Sequence, residues 1–251
     1  MGKIIAVVNQ KGGVGKTTTA VNLTAALTEA GKKVLLCDFD PQANATSGLG
    51  LEKRKLKHSV YDVIINDVPA KEVIASTPYG DVLPASADLA GAAVELITMP
   101  EPNYRLKNAL AQVRDEYDMI LIDCPPSLEL LTLNGLAAAD GILVPVQCEY
   151  YALEGLADLM TTLRLAKKRM NPELEIFGVL LTMFDGRTNF STQVAQEVRK
   201  HFPGKVYATV IPRNVRLAEA PSHGLPVTVY DRHSRGAQAY RTVAQEIIKK
   251  G

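Results

Sequence analysis

Long apolar runs are missing from this chain. Its hydrophobic stretches are short and broken by charged residues or glycine. None reaches the ~20 consecutive apolar residues that a membrane-spanning helix needs. The opening "MGKIIAVVNQ" moves at once into a strand-like run, with no h-region and no small-residue cleavage site, which predicts no secretory leader. Gly2 is followed by Ala6 rather than the Ser or Thr that myristoylation wants at position 6. Cysteine is scarce. Cys37, Cys124 and Cys148 are odd in number, widely spaced and form no C-x-x-C. That pattern argues against a disulfide framework, a zinc site or an iron–sulfur cluster. It predicts a reduced, cytoplasmic protein whose thiols serve as small apolar side chains. Fixed-period repeats and low-complexity runs are absent as well.

What is present is ordinary in bulk and uneven in detail. The 251 residues are 47 % hydrophobic and 22 % charged, as in a soluble globular protein. No linker divides them, so a single domain over 1–251 is expected. The net charge of +1 hides an asymmetry. Residues 181–251 hold 11 of the 28 basic and 5 of the 27 acidic residues, a net +6, which leaves −5 for residues 1–180. A polyanion-facing surface in the last third is one reading, and a merely solvated face is the other.

The apolar runs read as buried strands at 3–9, 33–40, 81–86, 117–124, 141–147, 175–184 and 205–212. Helical spacing covers 16–30, 103–116, 150–170, 190–201 and 234–250, with one more helix between 124 and 141. Residues 44–80 interrupt the alternation and are expected as a surface excursion with two short helices. Continuous buried strands alternating with helices imply a doubly wound α/β fold, its mostly parallel sheet covered by helices on both faces. Ligands of such sheets sit at the C-terminal ends of the strands.

The stretch "NQKGGVGKTTT", residues 9–19, lies after a strand and before a helix. Gly15-Lys16-Thr17 ends a phosphate-binding loop of the form G-x-x-x-x-G-K-[ST]. Gly12, Gly13 and Gly15 are expected to turn with positive φ and bring N–H groups to phosphate oxygens, with Val14 between them. The helix N-terminus adds donors and the positive end of a dipole. Lys16 should reach the β- and γ-phosphates, Thr17 should ligate Mg²⁺, and Thr18 is placed for the α-phosphate. The pattern's first glycine is replaced by Gln10, and a second lysine, Lys11, follows it.

Phosphoryl transfer also needs acids for the metal and the water. "ILIDCPPS" offers Asp123 at the end of a buried strand, placed to hold Mg²⁺. "CDFDPQ" offers Asp38 and Asp40, two residues apart and therefore on one side if both lie on a strand. Asp40 is the better candidate to orient the attacking water, with Asp38 supporting the metal. A plain Asx-turn before Pro41 is the competing reading.

Together "KGGVGKTT", "DFDPQANATSGLG", "LIDCPPS" and "IPRNVRLAEAPSHG" resemble the deviant Walker-A ATPases, closest to the ParA/Soj partitioning type, over nearly the whole chain. No helix-turn-helix segment precedes the loop, so the likeness is to the short type. The resemblance implies ATP and Mg²⁺ as cofactors and a sandwich homodimer with ATP. It makes Lys11 the signature lysine, which reaches the phosphates of the partner's ATP. It implies adenine contacts from Pro212 and Asn214, and a weak intrinsic ATPase stimulated by a ParB-type centromere-binding protein. It also implies non-specific binding of double-stranded DNA, for which Arg187 and Arg216 are the leading contacts and Arg213, Arg199 and Lys200 the weaker ones. Nucleoid association in the cytoplasm follows.

A membrane-associated relative resembling MinD is the alternative. Such proteins carry a C-terminal amphipathic membrane helix. Here the last helix has Tyr240, Val243, Ala244, Ile247 and Ile248 on one stripe without Phe, Trp or Leu, which favours packing on the domain over stable membrane binding. An iron-protein or cluster-carrier role needs paired cysteines, and Cys124 stands alone.

Overall fold

The computed structural model describes residues 2–127, 129–149 and 152–250, without the side chains of 152–155, 157 and 158. The elements run β1 (Lys3–Val7), α1 (Lys16–Glu29), β2 (Val34–Asp38), α2 (Asn44–Gly48), α3 (Val60–Ile65), α4 (Ala70–Val73), β3 (Ala75–Thr77), β4 (Gly80–Leu83) and α5 (Leu89–Leu96). They continue with α6 (Arg105–Ala111), β5 (Met119–Asp123), α7 (Leu130–Ala138), β6 (Gly141–Gln147), α8 (Ala152–Arg169), β7 (Glu175–Thr182) and α9 (Asn189–His201), then α10 (Val215–Glu219), α11 (Val227–Tyr230) and α12 (Arg235–Lys250).

The strands form one seven-stranded sheet in the order β3-β4-β2-β5-β1-β6-β7. Every pairing is parallel except β3 with β4. Strands such as "VLLCD" of β2 are buried along their whole length, because helices cover both faces. One core cluster lies on the face covered by α3, α5, α6, α7 and α9, and the other on the face covered by α1 and α12. The stripe Tyr240, Val243, Ala244 and Ile247 is buried in that second core, with Ile248 packed against it. No helix is long and apolar enough to cross a membrane among the described residues.

Topology sets the site. From β1 the chain crosses to β2 on one side, and from β5 it crosses to β6 on the other side of β1. The ends of three strands therefore meet, with Val7 opposite Asp123 and Asp123 opposite Asp38. This is the kind of reversal at which open α/β sheets place ligands.

Three expectations change. The run 205–212 is not a ladder strand. It touches β7 through an isolated bridge of Val206 with Val179, and the chain just past β7 through one of Pro212 with Phe184. Between them the Ala208 and Thr209 amides donate to the Glu246 carboxylate of α12, so the donors that a ladder requires are taken. The excursion after Asn44 holds α2, α3, α4 and the antiparallel edge strand β3, more than two short helices. Helix α5 has no counterpart among the expected elements. Its sequence LAGAAVEL is apolar nearly all round, so no polar face reveals a helical period.

Candidate nucleotide site

The loop between β1 and α1 is built as its residue types require. Gly13 and Gly15 have φ of +75° and +89°, a region closed to most side chains. Gly12 is not left-handed, so the expected positive φ holds at two of the three glycines. A Cβ added at Gly12 or Gly13 would meet nothing within 4 Å, which leaves this side of the loop open to a ligand. Val14 is buried, and its carbonyl accepts the Thr182 hydroxyl from the end of β7 at 2.8 Å. Asn9 anchors the entry by donating to the Pro145 carbonyl at 2.8 Å and accepting the Lys11 N–H at 3.0 Å.

Lys16 is 7 % exposed, and its Nζ donates to the Lys11 carbonyl at 2.9 Å, bridging the two ends of the loop. Burial lowers its pKa, while the charges of Asp123 and Asp40 pull it back up. The Lys11 ammonium pairs with the Glu149 carboxylate just past β6. Sequence reasoning did not single out Glu149, since the pair depends on β6 lying beside β1.

The three acids converge. Asp123 is fully buried, and among the described residues neither carboxylate oxygen accepts a hydrogen bond of ordinary geometry, though the Thr17 hydroxyl lies close enough to act on it. Burial, reinforced by the neighbouring Asp38 charge, holds its pKa well above the usual carboxylate value, against the pull of Thr17 and Lys16. Asp38 is buried too, and burial pushes its pKa up to about 6 despite hydrogen bonds. Its Oδ2 accepts the Thr46 N–H at 2.7 Å and the Thr46 hydroxyl at 2.6 Å. β2 ends at Asp38, so Asp40 lies in the following turn rather than on the strand. There its Oδ1 accepts the Gln42 N–H at 2.9 Å, and Oδ2 accepts nothing among the described residues. The Asx-turn exists and still leaves one oxygen for a water.

An orphaned, buried carboxylate beside a hydroxyl is a hard-oxygen donor set that fits Mg²⁺. No group of three His, Cys, Asp or Glu side chains could hold a metal alone among the described residues. Phosphate oxygens and water would complete the shell around Thr17 and Asp123. The cysteines take no part as ligands. All three are free and buried, and burial raises each thiol pKa.

Beside the loop a cavity of about 290 Å³ is lined by Thr18, Ile211, Pro212, Asn214, Leu217 and Tyr240, among others. Pro212 and Asn214 both line this cavity. Asn214 Oδ1 caps α10 through the Arg216 N–H at 2.8 Å. Thr182 and Met183, the latter at φ +50°, also line the cavity, as does Tyr240, which the sequence marks only as part of the packed stripe of α12. Tyr240 sits 221 residues from Thr19, whose hydroxyl it meets at 3.2 Å.

The basic residues lie outside this cluster, apart from Arg213 at the cavity rim. Arg187, Arg199, Lys200, Arg213 and Arg216 are all exposed. Three hold acids in their own neighbourhood: Arg187 pairs with Asp185 at 2.7 Å, Lys200 with Glu197 at 2.5 Å, and Arg216 with Glu219 at 2.8 Å and Asp231 at 3.2 Å.

A family model described as an AAA domain matches residues 2–176. The chain is 57 % identical to the sporulation initiation inhibitor protein Soj of Bacillus subtilis, with all of both chains covered. It is 50 % identical to the chromosome partitioning protein ParA of Myxococcus xanthus, covering 100 % of this chain and 89 % of that one. A solved structure of cobyrinic acid a,c-diamide synthase from Mycobacterium smegmatis with bound ADP and magnesium superposes at TM-score 0.87 with 40 % identity, over 99 % of this chain and 95 % of that one. The cell division ATPase MinD of Pyrococcus furiosus superposes at 0.82 with 30 % identity over all of both chains. The phosphate loop, the converging acids and these likenesses agree: the chain belongs to the ParA/Soj family of chromosome-partitioning ATPases.

Proposed function

We propose that the chain is an ATP-switched DNA-segregation ATPase acting as one P-loop domain over 1–251. The observation that supports this reading is Asp123, a buried carboxylate whose oxygens accept no hydrogen bond of ordinary geometry among the described residues, next to Lys16 and Thr17. Lys16 and Thr17 offset only part of its burial cost, and a bound divalent cation would offset the rest.

In this reading the N–H groups of residues 12–18 and the Lys16 ammonium hold the phosphates. Pro212 and Asn214 meet the adenine. Thr17 and Asp123, supported by Asp38, hold Mg²⁺, whose chemistry is to neutralise charge on the β- and γ-phosphates. Asp40 orients the attacking water with its free oxygen. Lys11 acts in trans as a cationic finger on the partner's γ-phosphate, exchanging Glu149 for phosphate when two ATP-bound copies meet. The ATP dimer then presents Arg187 and Arg216, with Arg213, Arg199 and Lys200, to DNA phosphates without reading sequence. A ParB-type partner stimulates hydrolysis, the ADP form lets go, and the protein distributes over the nucleoid. The membrane-positioning alternative is disfavoured because the α12 stripe is already spent in the core.

The test is affinity for a random-sequence DNA duplex with ATP and Mg²⁺, with ADP, and for Lys16→Ala with ATP. Binding should be at least about tenfold tighter in the first case and fall steeply with salt. Equal binding in all three would refute the switch.

A further inference from the structure

Helix α5 is apolar on both sides. Leu89, Ala92 and Leu96 are buried in the larger core. On the opposite side Ala90, Gly91, Val94 and Ile97 are exposed, Val94 by 72 % and Ile97 by 70 %. A single exposed aliphatic residue says little. These two stand three apart, one helical turn from each other, over small residues, and so make one continuous face.

Gly91 sharpens the point. A glycine inside a helix costs about 1 kcal/mol relative to alanine. Here its φ is not positive, and an added Cβ would meet only the flexible end of Glu95, at 3.3 Å. Among the described residues nothing needs the missing side chain. Close approach by something outside is the physical use that remains.

Charge decides what approaches. From residue 72 to 104 the chain carries Glu72, Asp81, Asp88, Glu95 and Glu101 and no lysine or arginine. In space, Glu95 accepts the Tyr61 hydroxyl at 3.1 Å, and Asp62 and Asp88 lie close enough to reinforce Glu95 in holding that proton. The apolar face is thus rimmed by carboxylates on α5, on α3 and at the turn before α5. It is also rigidly mounted. Leu89 N donates to the Ser86 carbonyl at 3.2 Å, Ser86 Oγ meets Ser59 Oγ at 3.0 Å, and Ala85 N donates to Thr46 Oγ1 at 3.0 Å.

We propose that this face of α5 docks a basic amphipathic segment of a partner protein. Apolar side chains of that segment cover Val94 and Ile97, and its lysines or arginines meet Asp62, Asp88 and Glu95. Nucleic acid and anionic lipid are repelled by the same carboxylates. A second copy of the chain, pairing this face with itself, would set like charges against each other. One helix face is small beside a standard interface of roughly 800 Å² per partner, so the contact is transient and of micromolar order. The inference does not rest on the nucleotide switch.

The probe is a fluorescent lysine–leucine amphipathic peptide of about 18 residues, with a glutamate–leucine counterpart. Its anisotropy is read against the full chain without nucleotide or DNA. The lysine peptide should bind the wild type and lose at least about tenfold in affinity with Val94→Ser/Ile97→Ser, with Asp88→Asn/Glu95→Gln, and on raising salt from about 50 to about 300 mM. The glutamate peptide should not bind. The variants change exposed side chains and should keep wild-type thermal stability and basal ATP turnover. Equal binding of the lysine peptide to wild type and the Val94/Ile97 variant overturns the proposal. So does nucleotide-free self-association, or binding to anionic vesicles, that the Val94/Ile97 variant abolishes.

Discussion

At the scale of single residues, stability and chemistry compete most openly at Asp123 and Asp38. An unpaired buried carboxylate costs several kcal/mol unless it is neutralised or meets a cation. Asp123→Asn should therefore stabilise the nucleotide- and Mg²⁺-free protein by about 1–3 kcal/mol in urea titrations near about pH 7.5, while abolishing Mg²⁺-dependent nucleotide affinity. Lower stability of that variant would mean that the carboxylate is satisfied in the free protein. Asp38 adds a pH signature. Burial holds its folded pKa at about 6, against an ordinary 3.8, so the folded state binds the proton more tightly than the unfolded chain does. Its contribution is full below about pH 4 and is lost as pH rises through about 6, roughly 3 kcal/mol for a shift of this size. Urea midpoints of the metal-free protein should fall between about pH 4 and pH 6 through this group, and Asp38→Asn should flatten that fall.

At the scale of elements, the segment 205–213 shows how a neighbour can override a local pattern. "KVYATVIP" has a strand's composition, but Glu246 of α12 takes its amides at Ala208 and Thr209. The segment then runs on to Pro212 and Asn214 at the cavity. Glu246→Ala should remove about 1–2 kcal/mol of charge-assisted hydrogen bonding. It should expose the Ala208 and Thr209 amides to hydrogen exchange and weaken nucleotide binding several-fold. Unchanged protection at these amides would place the constraint elsewhere. The same logic explains what the sequence could reveal. Buried strands announce themselves by uninterrupted apolar runs, and α1 by the glycine–lysine entry, so the sheet, the loop, Lys16 and Asp123 were legible. Glu149, Thr182 and Tyr240 were not, because each matters only through a neighbour brought up by strand order or by packing across the sheet. Helix α5 hid because both of its sides are apolar. Asp40 was misplaced onto a strand because composition does not mark where β2 stops.

At the scale of the whole molecule, the two ends of the chain differ in charge, with a net +6 over residues 181–251. The acidic surface around α5 belongs to the other, net-negative part. One molecule can thus offer phosphate-binding cations and an acidic apolar docking face without either neutralising the other, as the proposed cycle of DNA and partner contacts requires. In the proposed cycle the dimer would depend on Lys11, whose ammonium pairs with Glu149 in the single chain. Light scattering of wild type and Lys11→Ala with ATP and Mg²⁺, alongside their ATP affinities, tests this most directly. The wild type should form a dimer with ATP and a monomer with ADP, and the Lys11→Ala protein should still bind ATP but stay monomeric. A Lys11→Ala protein that dimerises with ATP as readily as the wild type would contradict the proposed cycle.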